Sequence, residues 1–142
     1  MEVSEVRRRL RAAIDEAKRH STERRARVDA ATRAWEDVLP ATVVPAFQAL
    51  AQALVAEGHR FKVLTPGESA RLSVERSAEE FIELALDTAR DVPAVMLRST
   101  RGRGRRMVSS ERVAVEAGAI AQLTQEAVVG FLLEELLPFI ER

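Results

Sequence analysis

Chemically capable side chains are few in this chain and scattered along it. Only His20 and His59 supply imidazole, and cysteine is absent, which removes thiolate nucleophiles, disulfides and cysteine metal sites together. His20 stands in the charged run Lys18-Arg19-His20-Ser21-Thr22-Glu23, where a solvated position accounts for it. His59 follows Gly58 at the end of an apolar helical stretch, where an imidazole can meet the negative end of a helix. Catalysis by His59 would require an acid and a nucleophile brought beside it by folding, and Ser69 and Ser73 qualify only by residue type. An enzyme built on His59 is therefore a third reading, behind two binding functions. Glu79, Glu80 and Glu83 place acids near one another, but on a strand Glu79 and Glu83 share the side opposite Ile82 and Leu84 and serve to solvate it. The zinc-helix, P-loop, EF-hand and dinucleotide motifs are missing; Gly102-Arg103-Gly104-Arg105-Arg106-Met107 lacks the last glycine and the strand–loop–helix setting. No metal or cofactor is expected.

The densest candidate is an arginine cluster. Arg98, Arg101, Arg103, Arg105 and Arg106 are interrupted by two glycines and by no acid. Guanidinium groups bind phosphates and carboxylates bidentately, and a flexible tip can follow a polyanion. No aromatic residue stands nearby to stack on a base. The run thus admits three readings: a solvated hairpin, a contact for an acidic protein partner or adjacent subunit, and a phosphate contact for nucleic acid. An acidic surface around Glu134, Glu135 and Glu141 is a candidate receiver from another subunit.

The elements that position these residues follow from hydrophobic spacing. Glu2 to about Leu39 reads as helix, with Val3, Val6, Leu10, Ala13 and Ala17 spaced as a short coiled-coil seam. The stripe resumes at Val28, Ala31, Trp35 and Val38 beyond a polar middle. One long helix is preferred to two broken near Ser21 or Thr22, because neither Pro nor Gly interrupts it. Arg7-Arg8-Arg9-Leu10-Arg11 is read as the solvated side of that helix, and Trp35 as a core or interface anchor. Pro40 ends or bends the segment, and a second helix is expected over Val43–Glu57.

Short strands are expected next. Arg60–Thr65 and Arg71–Arg76 alternate around a Pro66-Gly67 turn. Glu79–Thr88 fits both periods; the strand is favoured because it continues a meander. Ala94–Thr100 leads through Arg101–Gly104 into Arg105–Ser109 as a hairpin, and Glu111–Ala117 is one further strand. Thr124 caps a last helix over Gln125 to about Leu137, before Pro138. Its apolar residues, Phe131, Leu132 and Leu136 among them, cover more than one stripe, which points to an oligomer contact as well as a core.

Composition frames these elements. The chain has 142 residues, 46% apolar and 31% charged, enough for one core and one domain. Its formal net charge of zero conceals polarity. Residues 1–33 hold ten Arg and Lys against six acids, and residues 111–142 hold two against six. Twenty arginines against two lysines is a chain-wide bias, so arginine number alone does not argue for nucleic acid. No secretory signal and no membrane span are expected, and the lack of cysteine fits a cytoplasmic setting.

The expected fold is a single α+β domain: two N-terminal helical segments, with residues 1–39 as a helical arm or oligomerisation segment, an antiparallel meander of four to five strands, and a C-terminal helix. The expected function is a non-enzymatic interaction component, an adaptor or assembly factor. It would act as a homo-oligomer such as a homodimer, with Val3, Val6, Leu10, Trp35, Phe131, Leu132 and Leu136 at the interface.

Overall fold

A computed structural model of the chain describes residues 1–141. It has the α+β architecture expected: N-terminal helices, a five-stranded antiparallel sheet in simple meander order, and a C-terminal helix. Helix α1 runs unbroken over Val3–Val38, a π-helical turn follows at Leu39–Val43, and helix α2 continues over Val44–Ala56. No break occurs near Ser21 or Thr22. The π turn explains how the helix passes Pro40 without losing its buried face. From Val38 to the next buried residue, Val43, the apolar stripe takes a five-residue step, which an α-helix would rotate out of line and an i→i+5 turn keeps nearly aligned.

The end of α2 is shaped by Gly58, whose φ of 90° lies in the left-handed region. The Gly58 amide donates to the Val55 carbonyl and the His59 amide to the Leu54 carbonyl at 2.8 Å, closing the helix in a Schellman arrangement. The strands are β1 Phe61–Leu64, β2 Ser69–Val74, β3 Ser77–Asp87, β4 Ala94–Arg103 and β5 Arg106–Glu116. Glu79–Thr88, which fits both periods, is resolved by pairing: β3 is the central strand, bonded to β2 on one side and β4 on the other. The two segments Arg105–Ser109 and Glu111–Ala117 prove to be one strand, since no Gly or Pro between them interrupts the ladder.

After β5 comes a 3₁₀ turn, Ala117–Gln122, which buries Ile120 and packs on α1. Helix α3 spans Gln125–Ile140, and the Thr124 hydroxyl accepts from the Ala127 amide at its start. It does not stop before Pro138. Proline there removes only the bond to the Glu134 carbonyl in the final turn, where solvent can substitute, so the helix continues to Ile140.

One face of the sheet meets the helices. Leu72, Ile82, Leu84, Val95, Leu97 and Val115 line it, and Trp35, Phe47, Leu50, Val128, Leu132 and Phe139 cover it. Phe61 and Phe139 meet edge to face with centroids 6.3 Å apart. Helix α1 lies across one end of the sheet. Its Trp35 indole donates to the Glu68 carbonyl in the β1–β2 loop at 2.7 Å, and Arg24 donates to the Asp91 and Thr88 carbonyls in the β3–β4 loop. Beyond Arg24 the helix leaves the body as an exposed arm. The helical run Val3–Ala56 also contains an 18-residue window of mean hydropathy 1.6, one third of it buried, which suffices by length and composition to cross a membrane. No run of that length is free of polar residues, and α2 turns Ala46, Phe47, Leu50, Ala51 and Leu54 into the core.

Candidate functional site

Strand alternation divides the arginine cluster. Arg98 points to the sheet face away from the helices, where it meets Glu111 at 3.5 Å and Asp87 at 3.7 Å. Arg101 and Arg103, at odd steps from it, project from the opposite face, next to the end of α3. Arg103 pairs with Arg106 across the tip, and Gly104 with Arg105 makes the two-residue turn. Gly104 has φ 63° and Arg105 does not adopt positive φ, which is the pattern of a type II′ hairpin. Arg101, Arg103, Arg105 and Arg106 form no ion pair among the described residues, whereas Arg98 does. The five charges therefore make one tip of four and one sheet-bound residue. Period-two alternation in the sequence already carried that division.

At the base of the tip the Gly102 amide donates to Glu80 at 2.7 Å, fixing where the hairpin leaves the sheet. Glu134 and Glu135, expected as receivers for another subunit's arginines, are engaged within the chain: Arg112 on β5 binds both. The Ser99 and Ser110 hydroxyls are hydrogen-bonded to each other at 2.7 Å, and the one that accepts in that bond donates on to Glu135. These contacts fasten α3 to the middle of the hairpin. On the uncovered face, Arg71, Glu83, Arg98 and Glu111 stand in register across four strands. Arg71 binds the buried Glu83 carboxylate at 2.5 and 2.8 Å and lies 3.9 Å over the Phe81 ring. This row was not legible in the sequence, because register between distant strands is set by the fold.

The histidines sit apart. His20 on the arm is 2.8 Å from Glu16 one turn away. His59 lines a groove of about 470 Å³ with Arg60, Glu75, Arg76 and the end of α3. Glu75 is there, 4.0 Å from Arg60, but the groove's described lining holds no serine or threonine. Among the described residues no three His, Asp or Glu side chains converge as metal ligands.

The interface residues separate too. Trp35, Leu132 and Leu136 are buried in the chain's own core and Phe131 is half-buried, because α1 and α3 turn those faces onto the sheet. Val3, Val6 and Leu10 are the opposite case: they and Ile14 lie exposed in line along the arm, with Val3 75% and Leu10 57% accessible. On α3 the exposed leucines are Leu133 and Leu137, one position beyond the core residues Leu132 and Leu136. No family model matches the chain, and neither the curated proteins nor the solved structures contain a significant match to it.

Proposed function

We propose that the chain is a non-enzymatic protein-interaction component, an adaptor or assembly factor that works as a homo-oligomer. Its arm is the self-association element, and its arginine tip meets an acidic partner or neighbouring subunit. The exposed apolar stripe of the arm carries this reading. Helical stability in proteins comes mostly from packing an amphipathic face rather than from propensity, so burial of the arm's apolar stripe is the natural source of its stability. Val3, Val6, Leu10 and Ile14 are exposed together on a helix with ten Arg and Lys in the first 33 residues, where scattered placement would need no explanation. Val6 and Ile14 are already about half covered, so completing the burial of each contributes less than the roughly 1.5–3 kcal/mol of a fully exposed side chain. The four together in a pair of arms still offset the lower range of association costs. Light scattering of the full chain is expected to give about twice its 15.8 kDa mass. A Val6→Glu/Leu10→Glu variant is expected to be monomeric with its sheet signal unchanged. A wild-type chain that stays monomeric at the highest workable concentration overturns the proposal.

A second reading, nucleic-acid binding, is favoured by one observation: the four tip arginines lack carboxylate partners among the described residues. Reversing the charge of Arg101, Arg103, Arg105 and Arg106 would then abolish a saturable anisotropy signal that falls steeply between about 0.05 and 0.2 M salt. Absence of wild-type binding at the lower salt removes this reading.

A further inference from the structure

We infer that the arm of one copy lies along the exposed stripe of α3 on a second copy, with the reverse contact completing a two-fold dimer. The inference rests on the self-association reading and adds the surface that receives the arm. That surface is a line along α3: Gly130, Leu133 and Leu137 succeed one another at spacings of three and four, and Leu133 and Leu137 are 49% and 59% exposed. Gly130 has open space where a side chain would stand, so another helix can approach closely there.

Length and charge match the arm to this line. Val3 to Ala17 spans about 21 Å of helix and Glu126 to Glu141 about 22 Å, at roughly 1.5 Å per residue. At about 100° per residue, Arg7, Arg11 and Lys18 lie along one edge of the arm's stripe. None of the three is in an ion pair among the described residues. Glu126, Glu134 and Glu141 lie on or beside the α3 line, and Glu134 keeps 62% of its side chain in solvent although Arg112 binds it. A basic flank thus faces an acidic one, which favours this pairing over two like-charged arms side by side. The arm cannot use its own α3, because it departs as the straight continuation of a helix fixed across the end of the sheet. Two complementary surfaces on one rigid chain meet only between copies, and reciprocal exchange closes the assembly at two.

The absence of cysteine makes the contact testable in the full chain. Leu10→Cys and Leu133→Cys proteins, both altered at exposed positions near the middle of each stripe, are mixed and treated with a short bismaleimide. The mixture is expected to yield a covalent dimer that neither protein yields alone. Crosslinking of Leu10→Cys with itself, and no gain on mixing, overturns the inference while leaving self-association through paired arms. A monomeric, uncrosslinked chain removes the underlying reading as well. Independently, Leu133→Glu and Leu137→Glu are each expected to weaken dimerisation by about tenfold or more with the monomer's circular dichroism intact. An unchanged dimer in those variants also overturns it.

Discussion

Trp35 joins helix and sheet through a single side chain. It is fully buried, and its indole N–H satisfies the Glu68 carbonyl in the loop between the first two strands. Trp35→Ala is expected to cost about 3–5 kcal/mol through the cavity left behind. Trp35→Phe keeps most of the volume but orphans that carbonyl, so its expected cost is smaller, about 1–3 kcal/mol. Urea unfolding followed by circular dichroism ranks the two; equal losses would show that the cavity adds nothing and that the hydrogen bond, lost in both, accounts for the whole effect. The sequence identified Trp35 as an anchor from its spacing to Ala31 and Val38. Spacing says which face a residue occupies, not which neighbour covers that face. For the same reason Leu132 and Leu136 stood out as apolar, while the residues left in solvent are Leu133 and Leu137. The arginine tip was visible as a run, and strand parity separates Arg98 from it.

Among elements, those with strong local signals were the most legible. Period-two alternation located the first strands, although the turn between them centres on Gly67-Glu68, one residue beyond the expected Pro66-Gly67, and the threonine cap located the start of α3. Boundaries at prolines were harder to read. Pro40 is absorbed by a π turn and Pro138 by the last turn of α3, because in both places the missing amide falls where the ordinary ladder is already altered or ending. The 3₁₀ turn over Ala117–Gln122 has no sequence period of its own and owes its place to Ile120 in the core. Gly58 is the sharper case, since its positive φ is required by the Schellman closure. Gly58→Ala is expected to cost about 1–2 kcal/mol. Gly118→Ala, with open space and no such φ, is expected to stay within about 0.5 kcal/mol. Comparing their thermal midpoints tests this; equal shifts would remove the conformational explanation.

Across the whole molecule, body and arm differ in what holds them. The body has one continuous core from Ala31 to Phe139, whereas the first twenty residues bury none of their side chains. Deleting residues 1–20 is expected to move the thermal midpoint of a dilute sample by no more than about 2 °C. It is also expected to abolish the rise of that midpoint with protein concentration. Calorimetry at two concentrations tests both, and a large fall in the dilute midpoint would mean that the arm supports its own body. The polarity of charge visible in the sequence maps onto this division: the basic end is the arm, and the acidic end includes the helix clamped over the sheet.

Because α1 has no interruption between Arg24 and Val3, and Arg24 is where it leaves the body, the arm behaves mechanically as a lever pivoted there. Those 21 intervening steps amount to about 32 Å, so a tilt of about 9° at the pivot carries the tip sideways by about 5 Å, roughly half the width of a helix. Ångström-scale shifts of the β3–β4 loop that Arg24 grips would therefore be magnified at the far end of the arm. The seat of one guanidinium, remote from every exposed apolar residue of the arm, would govern the alignment of the contact proposed there.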